Sequence, residues 1–375
     1  MSDSTLAAHA PLQISRWRRW WDRNRDSVDA YLFLAPFLAV YSVFVIYPVI
    51  QAVYMSLYDW DLLAMGMREF IGLKNYASMA WGTGITWDLQ HLLVWRLVGL
   101  VTIPVSWWAA FRGSMRRATA GWLSVAAAVL FAGIMGIHPG EAGGRWNDAV
   151  FWTSLGNTVE FVLISTPLIV VIGLAMALAL NGSGRSLGLY RTAFFASYVF
   201  SVSVLTLIWG YVLQPQRGIL AAFLSNFGVE PISWLTDAKL AMPAIVIATL
   251  WWTVGFNMVL FLAGLQDIDP TIYEAADIDG AGRLMQFRYI TLPGLQRTTL
   301  MVVVLQIIAS FQIFGQVYIM TRGGPGGSTR VLIQHIYESG FRDFRLGYAS
   351  AMSLFLFVLM FVVSFFQFRL SPQEE

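Results

Sequence analysis

One charged segment between two apolar runs is the part of this sequence best equipped for polar chemistry. It reads "YEAADIDGAGRLMQFRYITLP" and spans residues 273–293. Its charged residues are Glu274, Asp277, Asp279, Arg283 and Arg288. Because only 12% of the chain is charged, such a cluster must meet water or another protein. A carboxylate fixed on a helix, as Glu274 would be, can accept charge-assisted hydrogen bonds from a partner's arginine.

The residues around Glu274 predict a bent pair of short helices, here called the knuckle (residues 269–293). Asp269 can cap a helix whose first residue is Pro270, since proline needs no hydrogen-bond acceptor there. Gly280 is expected to end that helix, because glycine readily adopts positive φ. A second short helix should run from 281 to 290 and stop before Pro293. Small residues at 275, 276 and 281 would let another protein approach closely.

The elements that carry the knuckle are membrane spans. The chain of 375 residues is 57% hydrophobic and 15% aromatic, with a mean hydropathy of +0.61. About 20 apolar residues of helix cross a bilayer, and eight runs are candidates. They are 30–58, 91–111, 118–137, 150–180, 192–213, 240–265, 298–321 and 346–368. We therefore predict an all-α, polytopic membrane helix bundle of about eight transmembrane helices.

The runs divide the chain into four parts. Residues 1–29 form an interfacial segment and 30–58 the first span. Residues 59–149 hold an external segment with an inserted hairpin at about 89–137, whose arms meet at the basic turn "RGSMRR" (112–117). Residues 150–370 form the core transmembrane domain, with the charged loop at 266–297. Arg96, early in the hairpin, is expected to reach the outer interface.

Basic residues indicate the orientation. With a cytoplasmic N-terminus, fourteen arginines fall in inside segments, against nine arginines and lysines outside. This bias predicts cytoplasmic N- and C-termini and a cytoplasmic knuckle. The N-terminal arginines and tryptophans at 16–25 favour lipid headgroups over nucleic acid. The same segment lacks the apolar core of a cleaved signal peptide.

The sequence lacks the residues that several kinds of site require. The chain has no cysteine and four scattered histidines, so we predict no thiolate or metal site. It has no G-x-x-x-x-G-K-[ST] phosphate loop. Glu160 is the one carboxylate inside a core span; a functional acid and a hydrogen-bonded or water-reached structural acid remain equal alternatives.

The knuckle carries a family resemblance. The pattern E-A-A-x-x-D-G-A-x-x-x-x-x-F-x-x-I-x-L-P resembles the coupling-loop signature of binding-protein-dependent ABC importer permeases. "FIGLKNY" (70–76), "SLGNTVEF" (154–161), "GLAMALAL" (173–180), "MTRGGPGGST" (320–329) and "FRLGYASAMS" (344–353) are similar to the carbohydrate-uptake branch, which includes the maltose and glycerol-3-phosphate permeases. The usual permease of that branch has six spans and lacks the hairpin, which we interpret as a peripheral addition.

The resemblance implies a permease subunit that carries a sugar or polyol delivered by an extracytoplasmic binding protein. It is not itself an enzyme: two cytoplasmic ATPase subunits hold ATP and Mg, and a second permease subunit completes a heterodimer. The location implied is a bacterial or archaeal inner membrane. The residues that would seat in the ATPase are Tyr273, Glu274, Ala275, Ala276, Asp279, Gly280, Ala281, Phe287 and Pro293.

The spans that flank the knuckle are the expected solute site. Polar groups recur there among aromatic residues at helical spacing, which suits sugar hydroxyls and ring faces. The candidates are Thr249, Trp252, Thr253, Phe256, Asn257, Gln306, Ser310 and Ile313. Ordinary helix packing is the alternative, since small and polar residues also hold membrane helices together.

Two other classes compete with the importer. A secondary transporter or channel would need ion-coupling acids at mid-membrane, and only Glu160 qualifies. An intramembrane enzyme would need paired catalytic groups inside spans, and none are so placed.

Overall fold

The computed structural model describes residues 16–61, 63, 68–80, 85–87, 93–111, 121, 123–124, 127–128, 137–139, 148–182 and 184–369. Two compact units form, Met1–Tyr54 and Met55–Glu375. The predicted helical class is confirmed for these residues, whose strands are limited to two short ladders.

The helices and strands have the following bounds. The helices are α1 (Arg16–Tyr41), α2 (Tyr47–Ser56), α3 (Lys74–Ala80), α4 (Leu93–Leu100), α5 (Thr102–Phe111), α6 (Ala149–Ala179), α7 (Arg185–Val199), α8 (Val202–Val212), α9 (Ile219–Ser225), α10 (Ala241–Gln266), α11 (Pro270–Ile278), α12 (Arg283–Gln286), α13 (Leu292–Gly294), α14 (Gln296–Phe311), α15 (Gly315–Met320), α16 (Leu332–Tyr337) and α17 (Leu346–Arg369). The π-helical turns are Ser42–Ile46, Phe287–Thr291 and Glu338–Arg342. The strands are β1 (Tyr58–Asp59), β2 (Glu69–Phe70), β3 (Ile85–Trp87) and β4 (Ile137–Pro139).

Four to six helical segments of the described chain can cross a membrane, fewer than the eight predicted. Four are continuous: Asp29–Ser56, Ala149–Ala179, Ala241–Gln266 and Leu346–Phe365. Two more are bent pairs, α7 with α8 at 102° and the knuckle's second half with α14 at 64°. The predicted spans 192–213 and 298–321 are therefore not straight helices. The first breaks at Ser201, whose hydroxyl caps α8 by accepting from the Val204 N–H, and the second breaks after Phe311.

The inserted hairpin is described only in part. β3 and β4 pair antiparallel, Ile85 with Pro139 and Trp87 with Ile137. The insertion thus leaves and rejoins the chain at one place, as a hairpin requires. Its first arm consists of α4 and α5, while most of the predicted second arm (118–137) lies outside the described residues. Arg96 is 5% exposed, so protein rather than open solvent surrounds its side chain, and its position at the outer interface stays a prediction.

The long helix α6 organises the core. Near its start, Phe151 and Val162 pack with Phe311 and Met352. At its end, Ala177 packs in a cluster with Phe261, Leu265, Leu295 and Val302, which joins α10 and α14 beside the knuckle. Arg191 of α7 donates to the Leu180 and Gly182 carbonyls, which satisfies acceptors just beyond the C-terminus of α6. Separate core clusters therefore pack against α6 near its first half and beside the knuckle.

Candidate functional site

The first half of the knuckle matches the prediction. The Asp269 carboxylate accepts a hydrogen bond from the Thr271 N–H at 2.9 Å, and Pro270 is the first residue of α11. This hydrogen bond lowers the pKa of the Asp269 carboxyl. Gly280 has φ +75° just beyond the end of α11, so the predicted stop is confirmed.

The second half differs from the prediction. Helix α12 begins at Arg283, and helical structure continues through the π-helical turn Phe287–Thr291 into α13, which contains Pro293. The expected stop before Pro293 is therefore wrong. The Leu292 N–H bonds to the Phe287 carbonyl across the wider turn. Such local π adjustment lets a helix accommodate the proline that interrupts its hydrogen-bond ladder.

Hydrogen bonds between side chains lock the two halves together. The Tyr273 hydroxyl lies 2.9 Å from the Thr291 hydroxyl. The Gln286 amide donates to the Asp277 carboxylate and, at 3.0 Å, to the Ala281 carbonyl. Tyr273, a predicted contact for a partner, thus bonds within the knuckle, and the knuckle is tied across its own bend.

The outer surface of the knuckle combines an acid with apolar side chains. Glu274 is exposed and makes no hydrogen bond or ion pair with any described residue. Ile278 is 88% and Leu284 80% exposed. Other predicted knuckle residues divide by exposure. Ala275, Asp279, Gly280 and Pro293 are exposed, whereas Ala276, Ala281 and Phe287 are half-buried. Such a surface has the chemistry of a protein contact.

A cavity of about 330 Å³ lies between the helices that flank the knuckle. Six of the eight predicted solute residues line it: Trp252, Thr253, Phe256, Asn257, Gln306 and Ile313. Its size falls within the range of small-molecule sites, roughly 300–1,000 Å³. We call it the central cavity.

Thr249 and Ser310, also predicted to line the solute site, are absent from the cavity wall. Thr249 is 5% exposed and donates its hydroxyl to the Ile245 carbonyl. Ser310 is 2% exposed and lies within reach of Ser165 and Thr166 of α6. Both lie one turn away from lining residues: the Thr249 hydroxyl bonds within its own helix, and Ser310 lies against α6.

A polar network joins the cavity wall to this packing layer. The Asn257 amide donates to the Gln306 Oε1 at 3.2 Å, and the Gln306 Nε2 donates to the Ser310 hydroxyl at 3.1 Å. The network links α10, α14 and α6, so Gln306 serves both the cavity and the packing of the helices. In apolar surroundings each such polar group requires a partner.

Aromatic rings form the facing wall. The Tyr198 ring stacks on Phe256 with centroids 4.7 Å apart and an interplanar angle of 15°. The Trp252 Nε1 donates to the Phe200 carbonyl at the break between α7 and α8. The break between α7 and α8 therefore fixes the orientation of the Trp252 indole, which lines the cavity.

Sequence reasoning missed other lining residues, among them Tyr198, Gln312, Phe314 and Gln316. Tyr198 belongs to α7 and lies in the predicted span 192–213, which hydropathy alone indicates to be straight. Gln312 and Phe314 lie at the break after α14, and Gln316 lies in the first turn of α15, where helical geometry resumes. The serine cap at Ser201 was the available signal for the first break; continuous hydropathy hid the second.

The end of the bundle remote from the knuckle is closed by family-like motifs. Asn157, from "SLGNTVEF", donates to the Gly327 and Arg330 carbonyls at 2.9 Å. Asp148 caps α6 and accepts hydrogen bonds from His335, at 3.1 Å, and from Tyr348. Burial raises the pKa of the Asp148 carboxyl, but these bonds and the Phe151 N–H outweigh burial and lower that pKa to about 2.

Glu160, the acid whose role the sequence left open, is exposed on α6. It forms no hydrogen bond with any described residue, which removes the hydrogen-bonded alternative; a functional acid and a water-reached structural acid both stay open. No group of three or more His, Cys, Asp or Glu residues that could hold a metal ion occurs among the described residues.

Known proteins resemble this chain over most or all of its length. The sulfoquinovosyl glycerol transport system permease protein SmoG of Agrobacterium fabrum is 28% identical over all of both chains. The lactose transport system permease protein LacF of Rhizobium radiobacter is 31% identical over 96% of this chain and 98% of its own. A bacterial ABC transporter involved in import of the acidic polysaccharide alginate has the same fold. Its TM-score is 0.66 at 17% identity, covering 94% of this chain and 98% of that one.

The family of the chain follows from its C-terminal half. Residues 169–374 match the family described as "Binding-protein-dependent transport system inner membrane component". This match contains α10, the knuckle and α14, and so both candidate sites. It confirms the expectation of a transport subunit rather than an enzyme, a secondary transporter or a channel. The chain therefore belongs to the family of inner membrane components of binding-protein-dependent transport systems.

Proposed function

We propose that this chain is the permease of an ATP-driven importer for a sugar or polyol, which it binds in the central cavity. The observation that best supports this proposal is the lining of the cavity. Residues of α10 and α14 that the sequence predicts to bind a sugar surround this one cavity. The names of the similar proteins supply the solute class, since they mention sulfoquinovosyl glycerol, lactose and alginate.

The lining suits a polyhydroxylated solute. Asn257, Gln306, Gln312 and Gln316 supply amide donors and acceptors at the wall. The stacked Tyr198 and Phe256 rings supply a flat apolar surface for the C–H face of a sugar ring. Because Gln306 is already bonded to Asn257 and Ser310, its amide is held in place before the solute arrives.

We propose the same partners that the resemblance implies. A second permease subunit completes a heterodimer, an extracytoplasmic binding protein delivers the solute, and two ATPase subunits hold ATP and Mg. The knuckle seats in an ATPase subunit through Glu274 and the exposed Ile278 and Leu284. Leu295 and Leu265, in the core cluster beside it, would transmit its displacement to α10 and α14.

The cavity is tested by removing one ring or one amide from its wall. Phe256→Ala and Gln306→Leu should each lower the solute's apparent affinity in uptake by about tenfold, the effect of roughly 1.4 kcal/mol. Initial uptake rates are measured in cells with the sugar that the wild type transports best from a panel of mono- and disaccharides. Basal ATP hydrolysis by the purified complex should persist.

Thr249→Val is the matched control for this experiment. Thr249 lies on α10 one turn from Thr253, but its hydroxyl bonds to the Ile245 carbonyl outside the cavity. Transport should remain near the wild-type rate in this variant. Wild-type kinetics in both Phe256→Ala and Gln306→Leu would place the solute elsewhere.

We also propose that the knuckle and both termini face the cytoplasm. The chain has no cysteine, so single cysteines can be labelled without background from it. Leu284→Cys, on the exposed knuckle, should react with an impermeant thiol reagent only after cells are permeabilised. Phe341→Cys, after the far end of α14, should react in intact cells. If Leu284→Cys reacted in intact cells and Phe341→Cys only after permeabilisation, the knuckle would face the outside.

A further inference from the structure

A second cavity lies beyond the end of α14 that is remote from the knuckle. It has a volume of about 630 Å³. Since α14 has 16 residues, this end is about 24 Å along the helix from the knuckle. We call the cavity the arginine vestibule. Its defining residues are Tyr318, Arg322, Arg330, Tyr337, Phe341 and Arg342.

The vestibule carries more positive than negative charge. Its lining contains three arginines and one carboxylate, that of Glu338. Arg330 Nε lies 3.4 Å from the Glu338 carboxylate, which also accepts a hydrogen bond from Gln334. Arg342 has only a loose contact with exposed Asp343 at 3.9 Å, and Arg322 forms no ion pair with any residue that the structure describes. Two guanidinium groups therefore lack a close carboxylate partner within the described chain.

The backbone at Arg322 is held in an uncommon conformation. Its φ is +54°, which costs a residue with a side chain on the order of 1–3 kcal/mol. The Arg322 N–H bonds to the Val317 carbonyl at 3.0 Å and holds the residue there. This fixes where the Arg322 side chain leaves the backbone, at the vestibule wall.

Aromatic rings separate the vestibule from the central cavity. Phe314 lines the central cavity, while Tyr318 and Tyr337 line the vestibule. The Phe314 ring lies 5.2 Å from Tyr318 and 5.4 Å from Tyr337, centroid to centroid. The two cavities thus share one wall, three rings that touch one another.

We propose that the arginine vestibule binds the anionic group of a sugar acid before the solute passes the aromatic wall into the central cavity. Guanidinium groups bind carboxylate, sulfonate or phosphate oxygens through paired N–H donors. The rings of Tyr318 and Tyr337 offer faces for the sugar's C–H groups. The proposal rests on the proposed solute cavity and narrows its substrate to sugars that carry negative charge.

The first test measures whether the vestibule attracts anions. In the purified complex in detergent, Phe341→Cys is treated with two methanethiosulfonates, sulfonatoethyl and trimethylammonioethyl. Modification of this chain is followed by its mass. Clefts of one charge raise the local concentration of counter-ions by about tenfold or more. The rate with the sulfonatoethyl reagent divided by the rate with the trimethylammonioethyl reagent should therefore be about tenfold higher at Phe341→Cys than at Ser225→Cys. Ser225 is an exposed site outside the vestibule.

Charge variants assign the effect to the arginines. Arg322→Gln should reduce the preference for the sulfonate reagent several-fold, whereas Arg322→Lys should retain most of it. Arg185→Gln, which removes an exposed arginine at the start of α7, should leave the ratio unchanged. These rates require neither transport nor a known orientation, so they can succeed or fail independently of the proposed function.

The second test asks whether a sugar acid occupies the site. Sodium glucuronate should slow modification of Phe341→Cys, while glucose with an equal concentration of sodium chloride should not. A ratio of the two modification rates at Phe341→Cys equal to the ratio at Ser225→Cys would overturn the proposal. So would an anion preference without protection by glucuronate, which would instead indicate an acidic segment of a partner protein as the occupant.

Discussion

Glu274→Lys is expected to reduce solute uptake to background while the subunit remains inserted and stable. Glu274 is exposed on α11 and bonds to no described residue, so the free chain loses little when it is replaced. In the proposed complex it would meet a basic group of the ATPase, and the lysine turns attraction into repulsion. Losing one partner of a buried charge pair costs roughly 2–5 kcal/mol at a protein interface, enough to displace the knuckle.

Retention of the ATPase measures this loss directly. The complex is purified through a tag on this chain, and the amount of co-purified ATPase and the ATP hydrolysis stimulated by solute are compared. Glu230→Lys is the matched control, the same change at an exposed residue remote from the knuckle. Full retention and normal stimulated hydrolysis in Glu274→Lys would remove Glu274 from the coupling contact.

The knuckle shows what local sequence can predict. The Asp269 cap, Pro270 at the first position and the Gly280 stop depend on single residues and their immediate neighbours, and all three are present. The prediction for the second half failed because the π-helical turn Phe287–Thr291 widens the helix just before Pro293. Proline at 293 then becomes tolerable, which the local sequence does not reveal.

Helical spacing predicts part of the central cavity's lining. The remaining lining residues depend on helix breaks that spacing does not reveal. Trp252, Thr253 and Phe256 share a face of α10 as their spacing predicted. Spacing does not say which residues of a polar face reach the cavity: the Thr249 hydroxyl bonds within its own helix, and Ser310 meets α6. The breaks at Ser201 and Gln312 occur within continuous apolar runs, so hydropathy could not predict them.

The vestibule was missed for a different reason. In the sequence its arginines indicate orientation, whereas their grouping depends on the fold of residues 321–345. Arg322 and Arg342 are twenty positions apart in the sequence. They line one cavity because α16 and the following π-helical turn bring the chain back beside α15.

The wall of the central cavity also depends on a contact that only glycine permits. Gly255 of α10 lies against the backbone of α7, where an added Cβ would be 2.1 Å from the Phe194 carbonyl oxygen and 3.0 Å from the Phe195 Cα. Backbone atoms cannot move aside as a flexible side chain does. Ser197 also donates to the Trp251 carbonyl at 3.1 Å, so a hydrogen bond joins these two helices one turn before the glycine.

Gly255→Ala is therefore expected to separate α7 from α10 and to destabilise the assembled subunit. Overpacking of this kind costs about 1–3 kcal/mol and more where backbone must shift, and the Tyr198–Phe256 stack would separate with the helices. We expect a large fall in the amount of complex recovered and in its thermal stability, measured by the temperature at which this chain aggregates in detergent.

Gly188→Ala is the control on α7 itself, because no atom lies within 4 Å of its added Cβ. That variant should assemble normally, since alanine favours a helix over glycine by about 0.5–1 kcal/mol. Normal recovery and stability in Gly255→Ala would mean that α7 and α10 are farther apart in the assembled transporter, and the aromatic wall of the cavity would then have to be rebuilt from other residues.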